Sequence, residues 1–401
     1  MRPRNCLKAP PEDPCDRPVP LNLWAWTLWK LEVDEGLRSV LAVTRRVLLA
    51  IAALLLVVGG GAAFALLRDR RPGAPAATVA LVWQKVVPGG DCQCADGSEF
   101  SFWDRPADPA KVVLFLNGGG VCWDVRMCGF ESTDSAGEND FYNWSQESAE
   151  APADHQAGFF DLSRADNPFR GYSIVYVSSC TGDAHLGNAA QKLSPTLTVQ
   201  HRGYVNGTAA LDYLTKHYPN ATEVVVIGKT AGSIAAPIYG GLVADRLPHA
   251  RVTVLGGQSG AWPDNPDLNT TVLDKAWGAY AAVPAWAVNG LAARDWGVPR
   301  FWVQAARHAP RLVLARFDYA ADPHAASEVA AWIPGSLTAM VDANETAIEA
   351  AGVTMHSYTA PGDGHGVFES DDFYDLDVGD VRLPDWLKQL ISGNPPSDVR
   401  P

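Results

Sequence analysis

Three short stretches carry the residue types that acyl transfer requires. An apolar run at 112–116 passes directly into Asn117-Gly118-Gly119-Gly120, and glycines there let backbone N–H groups face a developing oxyanion without side-chain obstruction. No Lys or Ser/Thr follows at the spacing of a phosphate-binding loop, so that use of a glycine turn is not supported. The second stretch is Gly228-Lys229-Thr230-Ala231-Gly232, between a β-rich run and a small-residue helical segment. Its spacing is that of the nucleophile elbow Gly-x-Ser-x-Gly, with Thr230 in the serine position. A plainer reading makes Thr230 a helix N-cap. The third is Gly362-Asp363-Gly364-His365-Gly366, a loop after the last strand-like run and a fitting place for a general base. Upstream, the run 311–317 ends at Asp318, with Asp322 four residues on. Nucleophile, acid and base then follow one another in the order known for Ser-Asp-His hydrolases. Either Asp also reads as a loop cap, and only one of them can orient His365.

These residues need a sheet edge to hold them. From about residue 79, β-rich runs alternate with helical periodicity, the pattern of a mostly parallel sheet with helices on both faces. Strands are expected at 79–87, 111–117, 172–178, 223–228, 251–256, 311–317 and 353–358, and helices at 202–217, 232–247, 336–351 and 385–391. Residues 262–308, rich in Trp and Ala, are too long for a loop and are expected to form a lid over the C-terminal edge of the sheet.

Composition narrows the setting. The 401 residues hold 45 Asp+Glu against 32 Lys+Arg, a formal charge of −13 that argues against nucleic acid as a partner. Apolar residues at 47% and charged ones at 19% fit a globular chain and exclude a disordered one. Segment 47–67 is uncharged, flanked by Arg45-Arg46 and Arg68-Asp69-Arg70-Arg71, and long enough to cross a hydrocarbon core of about 30 Å. It reads as a transmembrane helix or signal-anchor. The alternative is a cleaved signal peptide ending near Ala63-Phe64-Ala65. The organisation expected is a poorly ordered cytoplasmic tail at 1–46, the apolar segment at 47–67, a linker at 68–78 and one catalytic domain at 79–401. Cys6 and Cys15 precede the apolar segment, and Cys92, Cys94, Cys122, Cys128 and Cys180 follow it. No Cys-x-x-Cys pair supports a zinc site. Cys122 and Cys128 flank a short loop and read as a disulfide, which leaves Cys92 and Cys94 as rival partners for Cys180.

From about residue 94 to 393 the chain resembles the pectin acetylesterase family, which includes the Notum-type carboxylesterases. The resemblance is carried by Cys94-Ala95-Asp96-Gly97-Ser98, by Leu116-Asn117-Gly118-Gly119-Gly120-Val121-Cys122-Trp123 and by Cys180-Thr181-Gly182-Asp183-Ala184-His185-Leu186-Gly187. The elbow and the His365 loop complete it, and Gly158-Phe159-Phe160-Asp161 with Asn167-Pro168-Phe169 fits the bacterial branch. The resemblance implies an α/β-hydrolase fold acting on O-acyl esters, with the amides of Gly119, Gly120 and Ala231 as oxyanion hole. It also supports the Cys122–Cys128 disulfide and an extracytoplasmic location. Matching the bacterial pattern selects Asp322 as the acid, which is the assignment adopted, and the animal and plant pattern gives Asp318 as the alternative. No cofactor or metal is called for.

Two departures bear on activity. Thr230 replaces the nucleophilic serine, and the acidic residue expected near Gly257-Gln258-Ser259-Gly260 is absent. An elbow residue is expected to hold a positive φ, which a β-branched side chain tolerates poorly. Two readings result: an extracytoplasmic carboxylic-ester hydrolase with a Thr/Ser-His-Asp type triad, or a weak or inactive pseudo-hydrolase that binds acylated glycans or proteins. The expected partners are an ester-bearing substrate, such as an acetylated polysaccharide, and the membrane through 47–67. The chain is expected at the cell membrane, single-pass with the catalytic domain outside, or secreted if the N-terminal segment is cleaved. Trp123, His185 and the Trp-rich segment are candidates for lining an acyl pocket.

Overall fold

The computed structural model describes residues 82–130, 141–258, 262–324, 332 and 335–401. The tail at 1–46, the apolar segment at 47–67 and the linker at 68–78 lie outside the described residues. Among those described, no helix is long and apolar enough to cross a membrane.

The β-rich runs assemble into one eight-stranded sheet. Its strands are β1 (Gln84–Val86), β2 (Phe102–Arg105), β3 (Asp108–Leu116), β4 (Tyr172–Val177), β7 (Glu223–Lys229), β8 (Arg251–Gly257), β9 (Val313–Tyr319) and β10 (His356–Ala360). A separate antiparallel pair, β5 (Ala189–Lys192) and β6 (Thr198–His201), lies between β4 and β7 in the chain. The order across the sheet is β1-β2-β4-β3-β7-β8-β9-β10. Pairing is parallel from β4 through β10 and antiparallel where β2 meets β4 and β1 meets β2. This is a mostly parallel sheet of α/β-hydrolase type. Of the strand expected at 79–87, the described residues from 82 on hold the three-residue edge β1, and the mixed Phe102-Trp103-Asp104-Arg105 hid β2 from periodicity.

Strand alternation explains why both faces are covered. In β3, Val112, Leu114 and Leu116 enter one core, while Val113 and Phe115 enter the other; β7 divides Val224 and Val226 from Val225 and Ile227 in the same way. On the first face lie α1 (Gly203–His217), α2 (Ala231–Arg246), α3 (Val298–His308) and α4 (Leu337–Ala350), each contributing buried apolar residues. On the second, α5 (Leu383–Ile391) buries Trp386, Leu387 and Leu390 beside Phe159, Phe160 and Phe169. Each such side chain contributes about 1.5–3 kcal/mol on burial.

The stretch expected to be a lid is instead built into the first core. Trp277 and Trp296 are fully buried, Trp302 nearly so, and Trp277 Nε1 donates to the Cys122 carbonyl at 2.8 Å. Its regular part includes α3 and a π-helical turn at Asn269–Ala276. The many Trp residues reflect core packing, a use that aromatic composition does not distinguish from a mobile cover.

Candidate active site

Parallel strands end on one edge of the sheet, and the glycine turn, Thr230, Gln258, Asp322 and His365 lie just beyond such ends. β3 leads into Asn117–Gly120, β7 into Thr230, β8 into Gln258, β9 into Asp322 and β10 into His365.

Thr230 is the single joint between β7 and α2. Its φ of 46° and ψ of −116° lie in a region that L residues, and β-branched ones above all, adopt at a cost of about 1–3 kcal/mol. The turn is tight enough to demand its glycines. A Cβ at Gly228 would fall 2.4 Å from the Gly232 carbonyl oxygen, and one at Gly232 would fall 2.1 Å from the Leu116 oxygen. Thr230 occupies the N-cap position, but its side chain makes no capping hydrogen bond, so the plainer reading of this residue fails. The hydroxyl is turned onto the glycine loop instead, where a Cβ at Gly118 would lie 1.8 Å from Thr230 Oγ1.

The glycine loop therefore packs directly against the elbow. Gly119 and Gly120 have φ of 150° and 70°. The Gly119 carbonyl accepts from the Asn143 amide at 2.8 Å, and a Cβ at Gly120 would fall 1.8 Å from the Phe141 oxygen. Among the described residues, no backbone acceptor takes the amide of Gly119 or Gly120. Ala231 N–H opens α2, where the first amides of a helix lack intrahelical acceptors.

Of the two candidate acids, Asp322 meets His365. Its Oδ2 lies 2.8 Å from His365 Nδ1, and Oδ1 accepts the His324 amide at 3.0 Å. Asp322 is 2% exposed, whereas the His365 side chain keeps 31% of its surface open. Strand β9 continues past Phe317 to Tyr319, so Asp318 lies inside the sheet, opposite Thr359 of β10. There its carboxylate is 2.7 Å from Arg316 Nη1, and Arg316 also binds Glu345. Among the described residues no hydrogen bond joins Thr230 Oγ1 to His365.

Sequence reasoning missed Gln258, registering only that an acid was absent there. The residue is buried, has a φ of 70°, and directs Nε2 to within 3.2 Å of Asp322 Oδ2 and 3.3 Å of His365 Nδ1. With Nδ1–H donated to the carboxylate, the Gln258 amide donates to Asp322 as well. Its place after β8, the strand between those that lead to Thr230 and Asp322, was the available signal.

Cys122 and Cys128 form a disulfide, and Cys94 pairs with Cys180, leaving Cys92 as a free thiol. His185, a candidate pocket residue, is buried in the core with Nε2 2.8 Å from the Asn117 carbonyl, and burial lowers its pKa to about 4. Trp123 is half-buried and makes edge contacts with Trp262 and Trp332.

Three comparisons place this geometry among known proteins. Residues 76–283 match the family model described as Pectinacetylesterase. Pectin acetylesterase 4 of Arabidopsis thaliana is 23% identical over 167 residues, 40% of this chain and 36% of that protein, so the match spans about a third of the relative's length. The structure of the Wnt deacylase Notum from Drosophila superposes with a TM-score of 0.58 at 16% identity, covering 79% of this chain and 95% of that one. That likeness shows a shared α/β-hydrolase fold.

Proposed function

The chain belongs to the pectinacetylesterase family, and from that premise we propose that it is a carboxylic-ester hydrolase working through Thr230, His365 and Asp322. The observation that carries this reading is the Asp322–His365 pair, 2.8 Å apart, on the same sheet edge that presents an uncapped hydroxyl against a glycine loop. Asp322 holds Nδ1 protonated, which leaves Nε2 to take the proton of Thr230 Oγ1 as that oxygen attacks the acyl carbon. The amides of Gly119, Gly120 and Ala231 stabilise the oxyanion of the tetrahedral intermediate. Collapse releases the alcohol, protonated by His365, and water then hydrolyses the acyl-threonine by the same route.

An acetyl ester on a polysaccharide is the substrate class we favour, in line with the pectin acetylesterase of Arabidopsis thaliana. The two disulfides support an extracytoplasmic location, with 47–67 as its anchor. Protease digestion of residues beyond 71 on intact cells tests that placement, and protection would overturn it.

A second reading, a pseudo-hydrolase that binds acylated glycans or proteins, is favoured by one feature. Thr230 Oγ1 is turned onto Gly118 and is not hydrogen-bonded to His365. Hydrolysis of p-nitrophenyl acetate and butyrate by the full chain beside Thr230→Ala decides between them. Turnover lost in Thr230→Ala supports the hydrolase. Equal rates would remove Thr230 as nucleophile, and an acetylated glycan bound but recovered intact would establish the pseudo-hydrolase.

A further inference from the structure

The last residue of β7 breaks the apolar alternation of its strand. Val225 and Ile227 point into the face that holds Phe115, Tyr176 and Phe368, and Lys229 follows at the same period of two. It is 6% exposed. An ammonium so deep needs countercharge within reach.

Lys229 Nζ is ion-paired directly with Glu369 Oε2 and lies 3.6 Å from Glu150 Oε2. Glu150 Oε2 also accepts from Asn117 Nδ2 at 2.7 Å. His155 Nε2 closes the group, 3.3 Å from Glu369 Oε1 and 3.5 Å from Glu150 Oε2. Three members border the segments that the hydrolase reading uses, and Glu150 and His155 come from the stretch between β3 and β4. Lys229 adjoins Thr230, Asn117 adjoins the glycine turn, and Glu369 ends the short helix Val367–Glu369 that begins two residues after His365.

We propose that Lys229 and Glu369 are positioning residues, whose buried ion pair, continued through Glu150 to Asn117, holds the His365 loop and the glycine turn in register with the elbow. The inference rests on the hydrolase reading of the site. Backbone hydrogen bonds join the glycine turn to residues 141–143, Thr230 to the end of β8 and the Asp322 loop to Gly362, whereas this ion pair joins the elbow to the segment that follows His365. Glu150, His155 and Glu369 also place their ligand atoms within 4.8 Å of one another, a spacing a metal ion could use. The Lys229 ammonium already contacts both carboxylates and supplies positive charge there. The pair therefore serves register, and register matters to the rate because small misplacements of reacting groups are costly.

The test uses the full chain with Lys229→Met, Lys229→Arg and Glu369→Gln, the last nearly isosteric. Hydrogen–deuterium exchange should accelerate at 361–371 and 116–121 in Lys229→Met and Glu369→Gln, with protection retained in Lys229→Arg. In a Thr230→Ser background, kcat should fall about tenfold or more with KM little changed, and Lys229→Arg should recover most of the rate. A merely structural pair would instead shift the thermal midpoint and leave exchange in the two loops unaltered. Unchanged exchange in Lys229→Met and Glu369→Gln overturns the proposal. So does stoichiometric binding of Zn²⁺ or Mn²⁺ by the parent chain that Glu369→Gln abolishes. Absence of turnover in Thr230→Ser itself would sink the hydrolase reading, while exchange would still decide whether the pair locks the loops.

Discussion

The carboxylate of Asp322 meets Nδ1 of His365 at 2.8 Å, while Asp318, four residues earlier, is held 2.7 Å from Arg316. Asp322→Asn should therefore lower kcat by about 10³–10⁴ in the Thr230→Ser background, with KM nearly constant, because the imidazole loses its tautomer and its partner. Asp318→Asn should cost about 1–3 kcal/mol of stability and leave kcat within a few-fold. Gln258→Leu removes a donor from Asp322 and should lower kcat without raising KM. Kinetics and denaturant melts on the three variants check the ranking, and an inactive Asp318→Asn beside a normal Asp322→Asn would reverse it.

Replacing Thr230 by serine relieves a β-branched side chain at a φ of 46°. Strain of about 1–3 kcal/mol corresponds to roughly 5- to 150-fold in rate, so Thr230→Ser should raise p-nitrophenyl acetate turnover by a factor in that range. Its melting temperature should stay level or rise. Steady-state kinetics and calorimetry of the same preparation test both parts, and a slower serine variant would contradict the strain argument.

The two disulfides close loops of very different length. By chain entropy the Cys94–Cys180 bridge, with a separation of 86, contributes about 4–5 kcal/mol, and the Cys122–Cys128 bridge, with a separation of 6, about 2 kcal/mol. Paired Cys→Ala variants melted in denaturant should show the long bridge to be the costlier loss.

Burial lowers the pKa values of His185 and His201 to about 4, against about 6.5 in an unfolded chain. Between those values the unfolded state binds more protons at both sites, so stability rises with pH through this window and is lost as pH falls toward 4. Asp183 acts oppositely, because burial raises its pKa to about 6 and the folded state then holds the extra proton from about pH 4 to 6. Two histidines outweigh one aspartate, and the thermal midpoint should increase from pH 4 to 6.5. A flat or falling profile would show that one of these groups is not buried as described.

The Thr230 turn between strand and helix, the glycine turn, the chain order of Thr230, Asp322 and His365, and the parallel strands were legible in the chain itself. Each is a local pattern: glycines where a Cβ would strike backbone, period-two alternation, a hydroxyl between strand and helix. Asp322 against Asp318 was not decided by local pattern, since the choice depends on whether β9 ends at Phe317 or at Tyr319. Two residues of strand turn an aspartate from the sheet edge into a partner for Arg316. Gln258, the Lys229–Glu369 pair and the choice of Cys94 over Cys92 for Cys180 likewise join positions far apart in sequence. Only the packing of separate strands brings such groups within hydrogen-bonding reach. The Trp-rich stretch shows the same limit, because composition reports that it is apolar and tertiary structure alone decides that it fills the core.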